Sequence, residues 1–545
     1  MALSRTLFFS THLGLAFSLI VLAYLAAGFD HPIILICFVL LLLTMGIGVY
    51  DMVQTEHSIR RNYPLLGRGR WFMEWVRPFI RQYLMESETD GAPINRMFRS
   101  IVYQRAKGDL ASTPFGTKVD TYRDGYEWMG HSIAARNIED LDPDPRVTVG
   151  GPDCLQPYQA AILNISAMSF GSLSDAAVRA LNTGAAIGRF YQNTGEGGVS
   201  DFHLENGGDL VWQIGTGYFG CRSEDGGFSP DRFAETSSLA SIKMIEIKLS
   251  QGAKPGHGGI LPASKNTELI ARIRQVPVGT QVNSPSAHSA FSTPMELLYF
   301  VKQLRELSGG KPIGFKLCVG SESEFLAIAK AMHESGITPD FLTVDGGEGG
   351  TGAAPLEYSN SVGMPLRDGL AFVVDTLEGM GVRDRVKVIA SGKILTGFHM
   401  ARALALGADL CNSARGMMLA LGCVQSLECN TNHCPTGIAT QDARLIRGLD
   451  VTDKSARVAR FQEETRHALV DLISSAGLSS PSELRRSHIY RRVDQMTVKR
   501  YDALFPLPDK GAYLLTGEEN PMFSLLETID SQRFQAPAEP MLGSS

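Results

Sequence analysis

Three cysteines, Cys423, Cys429 and Cys434, stand within twelve residues and are followed at once by Pro435. Thiolates spaced this closely can face a common point, and in a large chain such a cluster is more often metal-binding or catalytic than cross-linking. Three cysteine ligands suit a [3Fe-4S] cluster with one cube corner empty, and a proline after the last cysteine is shared with some iron–sulfur runs. Zinc layouts pair their cysteines more tightly and want four ligands, so zinc requires His433 as the fourth. The other cysteines, Cys37, Cys154, Cys221, Cys318 and Cys411, are scattered and outline no disulfide framework.

Glycine-rich loops supply a second chemistry. The run from Asp345 to Pro355 contains Gly346, Gly347, Gly350, Thr351 and Gly352, and its backbone N–H groups could form a nest for a phosphate or a flavin edge. Ser391, Gly392 and Lys393 form a second such turn, and Arg415 with Gly416 a third. Together they favour a phosphate-bearing cofactor. In the segment 245–259, Lys248, Gln251, Lys254 and His257 are cations and donors suited to a dicarboxylate, unless Lys248 merely pairs with a neighbouring carboxylate. Glu196, set among glycines in the run 193–198, is a candidate general acid/base, unless it is only a solvated turn residue. Gly215 to Gly220 fits a dinucleotide-binding pattern, but the segment after it cannot open a helix, so it reads as a turn.

These residues need a frame. Strand-like runs at 160–166, 244–250, 312–319, 341–347 and 386–392 alternate with helical stretches, and a final repeat covers 400–416. Weaker strands fall near 185–192 and 279–283. About eight βα units predict an α/β fold, a (β/α)8 TIM barrel whose C-terminal rim carries Lys248, Lys316, Asp345, Ser391 and Arg415. An open doubly wound sheet is the competing arrangement. Residues 450–500 read as helical and charged, and the last 45 residues as Pro-rich and irregular.

The other end of the chain reads differently. Residues 13–29 and 32–50 carry no charge, and each approaches the length needed to cross a bilayer. Only Asp30 and His31 lie between them, which predicts a transmembrane helical hairpin rather than a cleaved leader. Arg5 precedes the pair and Arg60, Arg61, Arg68, Arg70, Arg77 and Arg81 follow it, placing both ends and the catalytic body in the cytoplasm. Residues 70–84 put Phe72, Trp75, Val76, Phe79, Ile80 and Tyr83 on one face of a helix kinked at Pro78, facing either the headgroups or the barrel. The expected division is an anchor at 1–54, a juxtamembrane and capping region at 55–149, the barrel at 150–445, and a helical extension and tail at 446–545. A net charge of -6 gives no footprint for nucleic acid.

The segments 165–174, 193–198, 245–262, 345–355 and 421–441, in that order, resemble the FMN-binding barrel of glutamate synthases. The resemblance implies reductive amination of 2-oxoglutarate to L-glutamate through 2-iminoglutarate, with hydride from reduced FMN and electrons passed by a [3Fe-4S] cluster on Cys423, Cys429 and Cys434. Glu196, Lys248 and Lys254 would be catalytic, with Gln251, Lys254 and His257 toward the oxoacid. The flavin would meet Ser166, Met168, Ser169, Asn193, Lys248 and Lys316, besides the three glycine turns from Asp345, Ser391 and Arg415. Family members draw ammonia from an N-terminal glutaminase domain. Here the sequence runs from Met-Ala-Leu-Ser into apolar helices, leaving free ammonia, a partner glutaminase or another amine as the nitrogen source. Ferredoxin, a reductase or a quinone is left as electron donor, and a homo-oligomer is compatible with all of this. The alternatives are a related FMN oxidoreductase acting on another oxoacid, amine or N-substituted glutamate, and an electron-relay subunit of a membrane complex.

Overall fold

The computed structural model describes residues 2–25, 32–109, 112–517, 520 and 522–534. The expected turn at Asp30 and His31 and the residues beyond 534 lie outside the described residues. The chain divides into two compact units, Met1–Arg96 and Met97–Ser545.

In the first unit, helices α1 (Ala2–Leu25) and α2 (Pro32–Val53) are long and apolar enough to cross a membrane by length and composition. A Cβ on Gly48 would strike the Phe8 ring, so the bare backbone of α2 lets α1 come close. His12 Nε2 meets Thr44 Oγ1 at 3.2 Å across the pair. Helix α3 (Arg68–Ile80) contains Pro78, which lacks a backbone donor, and passes into a wider π-helical turn, Arg81–Met85.

In the second unit, eight strands form a closed barrel. They are β1 (Leu163–Ile165), β2 (Gln192–Asn193), β3 (Leu210–Ile214), β4 (Ile242–Lys248), β5 (Ile313–Leu317), β6 (Phe341–Asp345), β7 (Lys387–Ser391) and β8 (Leu410–Ser413). All pair in parallel, and closure comes where Cys411 sits opposite Leu163 and Ser413 opposite Ile165. The open sheet is thereby excluded. The strands are near-continuously buried, as parallel strands covered on both faces must be. Ser174, Thr293, Thr396 and Asp450 cap the helices that follow them by accepting backbone N–H groups.

Several expectations change. The run 160–166 splits between an antiparallel strand, Tyr158–Ala161, and β1. Residues 185–188 end the helix Asp175–Gly188, and β2 is only Gln192–Asn193. Val282–Asn283 pairs antiparallel with Ile260–Leu261 outside the barrel, because both belong to rim loops. Past 450 only Val451–Ser475 is a long helix; Ile489–Arg492 and Val498–Arg500 form a hairpin paired with Glu127–Met129, where Arg491 and Tyr501 bind the buried Glu127 carboxylate.

The two-residue period of a strand orders the barrel interior in layers. Met244 joins Val211, Phe341, Ile389 and Leu410 in an apolar layer. Two residues further along β4, Glu246 accepts hydrogen bonds from Asn193 Nδ2 (2.9 Å), Gln213 Nε2 (2.6 Å) and Thr343 Oγ1 (2.6 Å). Two further still, Lys248 reaches the rim beside Lys316, its partner in register.

Candidate active site

At the rim, Lys248 Nζ lies 2.8 Å from Glu196 Oε1, with both side chains largely buried. Glu196 sits in a short 3-10 turn, Gly195–Gly197, directly after β2. Glycines hem its carboxylate in: a Cβ on Gly215 would stand 2.7 Å from Oε2, and one on Gly259 2.4 Å from Oε1. The pattern Gly215 to Gly220 is thus a turn, as expected, and its first glycine makes room for Glu196. Burial pushes the Glu196 carboxyl up, but Lys248, then Arg274 and Lys254, outweigh it and hold it below its ordinary range. Lys248 is pulled down by burial and by Lys316, against the pull of Glu196 and Asp345. Burial, with Lys248 adding to it, lowers Lys254 to about 8. The centre gathers more cations than carboxylates, which suits an anion.

Arg274, which the sequence reading did not single out, belongs to this group. It ends the helix Glu268–Arg274, is buried, and donates from Nη2 to the Phe170 carbonyl at 2.9 Å. Its Nε has no partner. Burial lowers it to about 10. Its sequence signal was slight: one arginine at the end of an amphipathic helix.

The neighbouring pocket gathers the ends of five strands. Ser166, Lys316, Asp345, Gly350, Ser391, Gly392, Lys393, Arg415 and Gly416 line it, with Gln251 from the loop after β4. Ser166 Oγ and Ser391 Oγ are 3.3 Å apart. Lys393 and Arg415 bring two cations to the ends of β7 and β8, where barrels commonly hold phosphate. Burial lowers both, Arg415 lowering Lys393 further.

The glycine loop after β6 departs from the expected open nest. Gly346 N donates to the Ser391 carbonyl, Gly347 N to that of Met364, and Gly349 N to that of Gly346, each at 2.8 Å. Those donors are spent on the protein because the loop must turn back against β7 and the next helix. Gly252 permits a close crossing here, since a Cβ on it would stand 1.7 Å from the Gly346 carbonyl oxygen. Asp345 accepts Gly252 N at 2.9 Å and so ties the two loops together. Thr351 and Gly352 are exposed, Thr351 accepting weakly from Gln251 Nε2 at 3.4 Å.

Other expected residues stand apart. Asn193 spends its amide on Glu246 and on Gly195 N inside the barrel. Ser169 donates to Ser172 Oγ at 3.0 Å, and Met168 is buried beside the Gly195 turn. His257 turns its ring edge to Tyr358, 5.4 Å between centroids, and binds the Gly258 carbonyl through Nδ1.

The cysteine segment leaves β8 through the short helix Arg415–Ala420. Gln425 N donates to Cys423 Sγ at 3.4 Å, and Thr436 Oγ1 lies 3.4 Å from Cys434 Sγ. Burial raises Cys434, but Thr436 and the backbone N–H groups of Thr436, Ile438 and Ala439 outweigh it and lower the thiol. Lys265, also unforeseen, is buried and spends all three ammonium donors on the carbonyls of Ser172, Cys429 and Ala439. Among the described residues, no group of three or more His, Cys, Asp or Glu side chains could hold a metal ion, and His433 is exposed, so zinc with His433 finds no support. Among the described residues no iron–sulfur site is evident in the side-chain geometry.

Residues 118–479 match the conserved region in glutamate synthase. A glutamate synthase large subunit-like protein of Bacillus subtilis is 37% identical over 496 residues, 84% of this chain and 94% of that protein. An archaeal-type glutamate synthase [NADPH] of Thermotoga neapolitana is 30% identical over 78% of this chain and 81% of its own. A solved mandelate oxidase variant covers 78% of the chain at 13% identity with a TM-score of 0.40, too slight a likeness to argue from.

Proposed function

Because this chain belongs to the glutamate synthase family, an oxidoreductase family, we propose that it catalyses reductive amination of 2-oxoglutarate to L-glutamate. The observation that carries the reading is the buried Glu196–Lys248 pair among Lys254, Arg274 and Lys316, beside a pocket that ends in Lys393 and Arg415.

The donor set of that pocket suits FMN: two cations at the ends of β7 and β8 for its phosphate, and Lys316 deeper in, where a positive charge favours an anionic reduced ring. Bound and reduced, FMN would supply the hydride. The protein's own residues do the rest. Arg274, with one nitrogen unpaired, and Lys254 orient the carboxylates of the oxoacid. Ammonia adds to the C2 carbonyl and water leaves, giving 2-iminoglutarate. A hydride at C2 and a proton on nitrogen complete glutamate. That proton comes from the Lys248 ammonium, which the ionised Glu196 holds in place at 2.8 Å. Gly215 and Gly259 close on the carboxylate and leave water little room.

For the cysteines, the proposed [3Fe-4S] cluster is supported by their spacing, by the N–H donors aimed at Cys423 and Cys434, and by the Lys265 cation beside Cys429. Each thiolate in a cluster binds a different iron, so the three need not converge on one point. The proposed anchor is the α1–α2 hairpin with the catalytic body in the cytoplasm, supported by two helices of about 33–36 Å and by arginines at their shared end.

The test is anaerobic glutamate formation from 2-oxoglutarate and ammonium by detergent-purified protein with a reduced low-potential donor. FMN-dependent glutamate is expected. Flavin and cluster spectra without glutamate would overturn the substrate assignment and turn attention to another oxoacid or amine.

A further inference from the structure

The first unit carries a surface that the reductive chemistry does not use. Phe72, Trp75, Phe79 and Tyr83, on α3 and the π-helical turn after it, are each more than half exposed, and Leu84 and Met85 continue the apolar patch. Arg70, Arg77 and Arg81 alternate with them and are exposed too. Between residues 51 and 85 there are six arginines and three acids, Asp51, Glu56 and Glu74. One of those acids is already committed: Arg68 grips Asp51 through Nε (2.9 Å to Oδ2) and Nη2 (2.7 Å to Oδ1).

That grip places the patch. Asp51 lies in the last turn of α2 and Arg68 in the first turn of α3, and Leu65 N also donates to Asp51 Oδ2 at 3.2 Å. Arg5, near the start of α1, donates to the Arg61 carbonyl at 3.0 Å. The amphipathic helix therefore starts at the end of the hairpin where both apolar helices have their polar termini. An exposed aromatic face interleaved with arginine is the composition of a helix lying in the plane of a membrane interface, and arginine selects anionic lipid.

We propose that residues 68–85 form a second membrane contact, seated in the headgroup layer of an anionic bilayer and held at its entry angle by the Asp51–Arg68 pair. The inference rests on the hairpin reading. The aromatic side chains reach the acyl boundary, and Arg70, Arg77 and Arg81 meet lipid phosphates.

The test uses the full chain reconstituted in nanodiscs of phosphatidylcholine alone or with phosphatidylglycerol. Trp75 is read as the difference in fluorescence between the protein and its Trp75→Phe variant. With phosphatidylglycerol present, Trp75 should be quenched by lipids brominated near the headgroup and shielded from aqueous acrylamide, both less so in phosphatidylcholine alone. A triple Arg70→Gln, Arg77→Gln, Arg81→Gln variant should abolish the dependence on lipid charge, and Asp51→Asn should weaken the brominated-lipid quenching. Trp75 open to acrylamide in both lipids would overturn the proposal. So would Trp75 shielded from both quenchers, which marks a helix packed on protein, or quenching that ignores lipid charge. Extraction of the whole chain from membranes by alkaline carbonate would instead sink the hairpin reading.

Discussion

Replacing Lys248 by Met removes one partner of a buried pair whose members are 2.8 Å apart, with side-chain exposures of 7% and 18%. Glu196 is then left as a carboxylate hemmed in by Gly215 and Gly259 without its ammonium partner. Breaking a buried pair from one side costs about 3–5 kcal/mol, a fall of several degrees in the Tm of a unit of this size. Removing both charges together, as Lys248→Met with Glu196→Leu, should recover much of the loss, because neither member of the pair is then left without the other. Calorimetry on the detergent-purified wild type, two single variants and the double variant forms the cycle, with a coupling of about 2 kcal/mol or more expected for contacting groups. The pH dependence has a definite sign. Glu196 lies below its ordinary range in the folded protein, so its contribution is full above the unfolded carboxyl value of about 4.3 and is lost as pH falls through the folded value. A Lys248→Met loss below about 1 kcal/mol, with no recovery in the double variant, would refute the buried, coupled pair.

Three further outcomes are expected. Cys429→Ser should lose the visible and paramagnetic signature of a cluster while flavin is retained; a cluster that persists removes Cys429 as a ligand. Lys254→Ala should weaken 2-oxoglutarate binding far more than FMN binding, and wild-type affinity for the oxoacid should decline as pH rises through about 8, where Lys254 loses its charge; a flat titration profile argues against that contact. Gly252→Ala forces a methyl group to 1.7 Å from the Gly346 carbonyl, so the rim loops must part, with reduced flavin retention and a stability loss of about 3 kcal/mol or more; an unchanged flavin content would show that the crossing does not matter.

The sequence alone carried the parts of this protein that are local. Hydrophobic runs and the helices between them specified the barrel, since a parallel strand buried on both faces leaves a mostly apolar signature at 313–317, 341–345 and 387–391, interrupted by Lys316 and Thr343 and by polar residues at the strand ends. Lys248, Glu196 and the cysteines stood out because charge, or sulfur at close spacing, is unusual at the end of such runs. The N-terminal helices were legible for the same reason, length and apolarity being one-dimensional properties.

Tertiary structure decided what depends on partners distant in the chain. Nothing near Asp345 says that its glycine loop will spend Gly346 N on the Ser391 carbonyl and cross Gly252. Arg274 and Lys265 are ordinary lysine and arginine positions until folding buries one beside Glu196 and encloses the other in the carbonyls of Ser172, Cys429 and Ala439. The strand Ile489–Arg492 escaped notice because one of its pairing partners, Glu127–Met129, lies more than 350 residues earlier. Barrel closure itself turns Met244, Glu246 and Lys248 into an apolar floor, a polar collar and a charged rim, because only a closed sheet gives every other side chain a common interior.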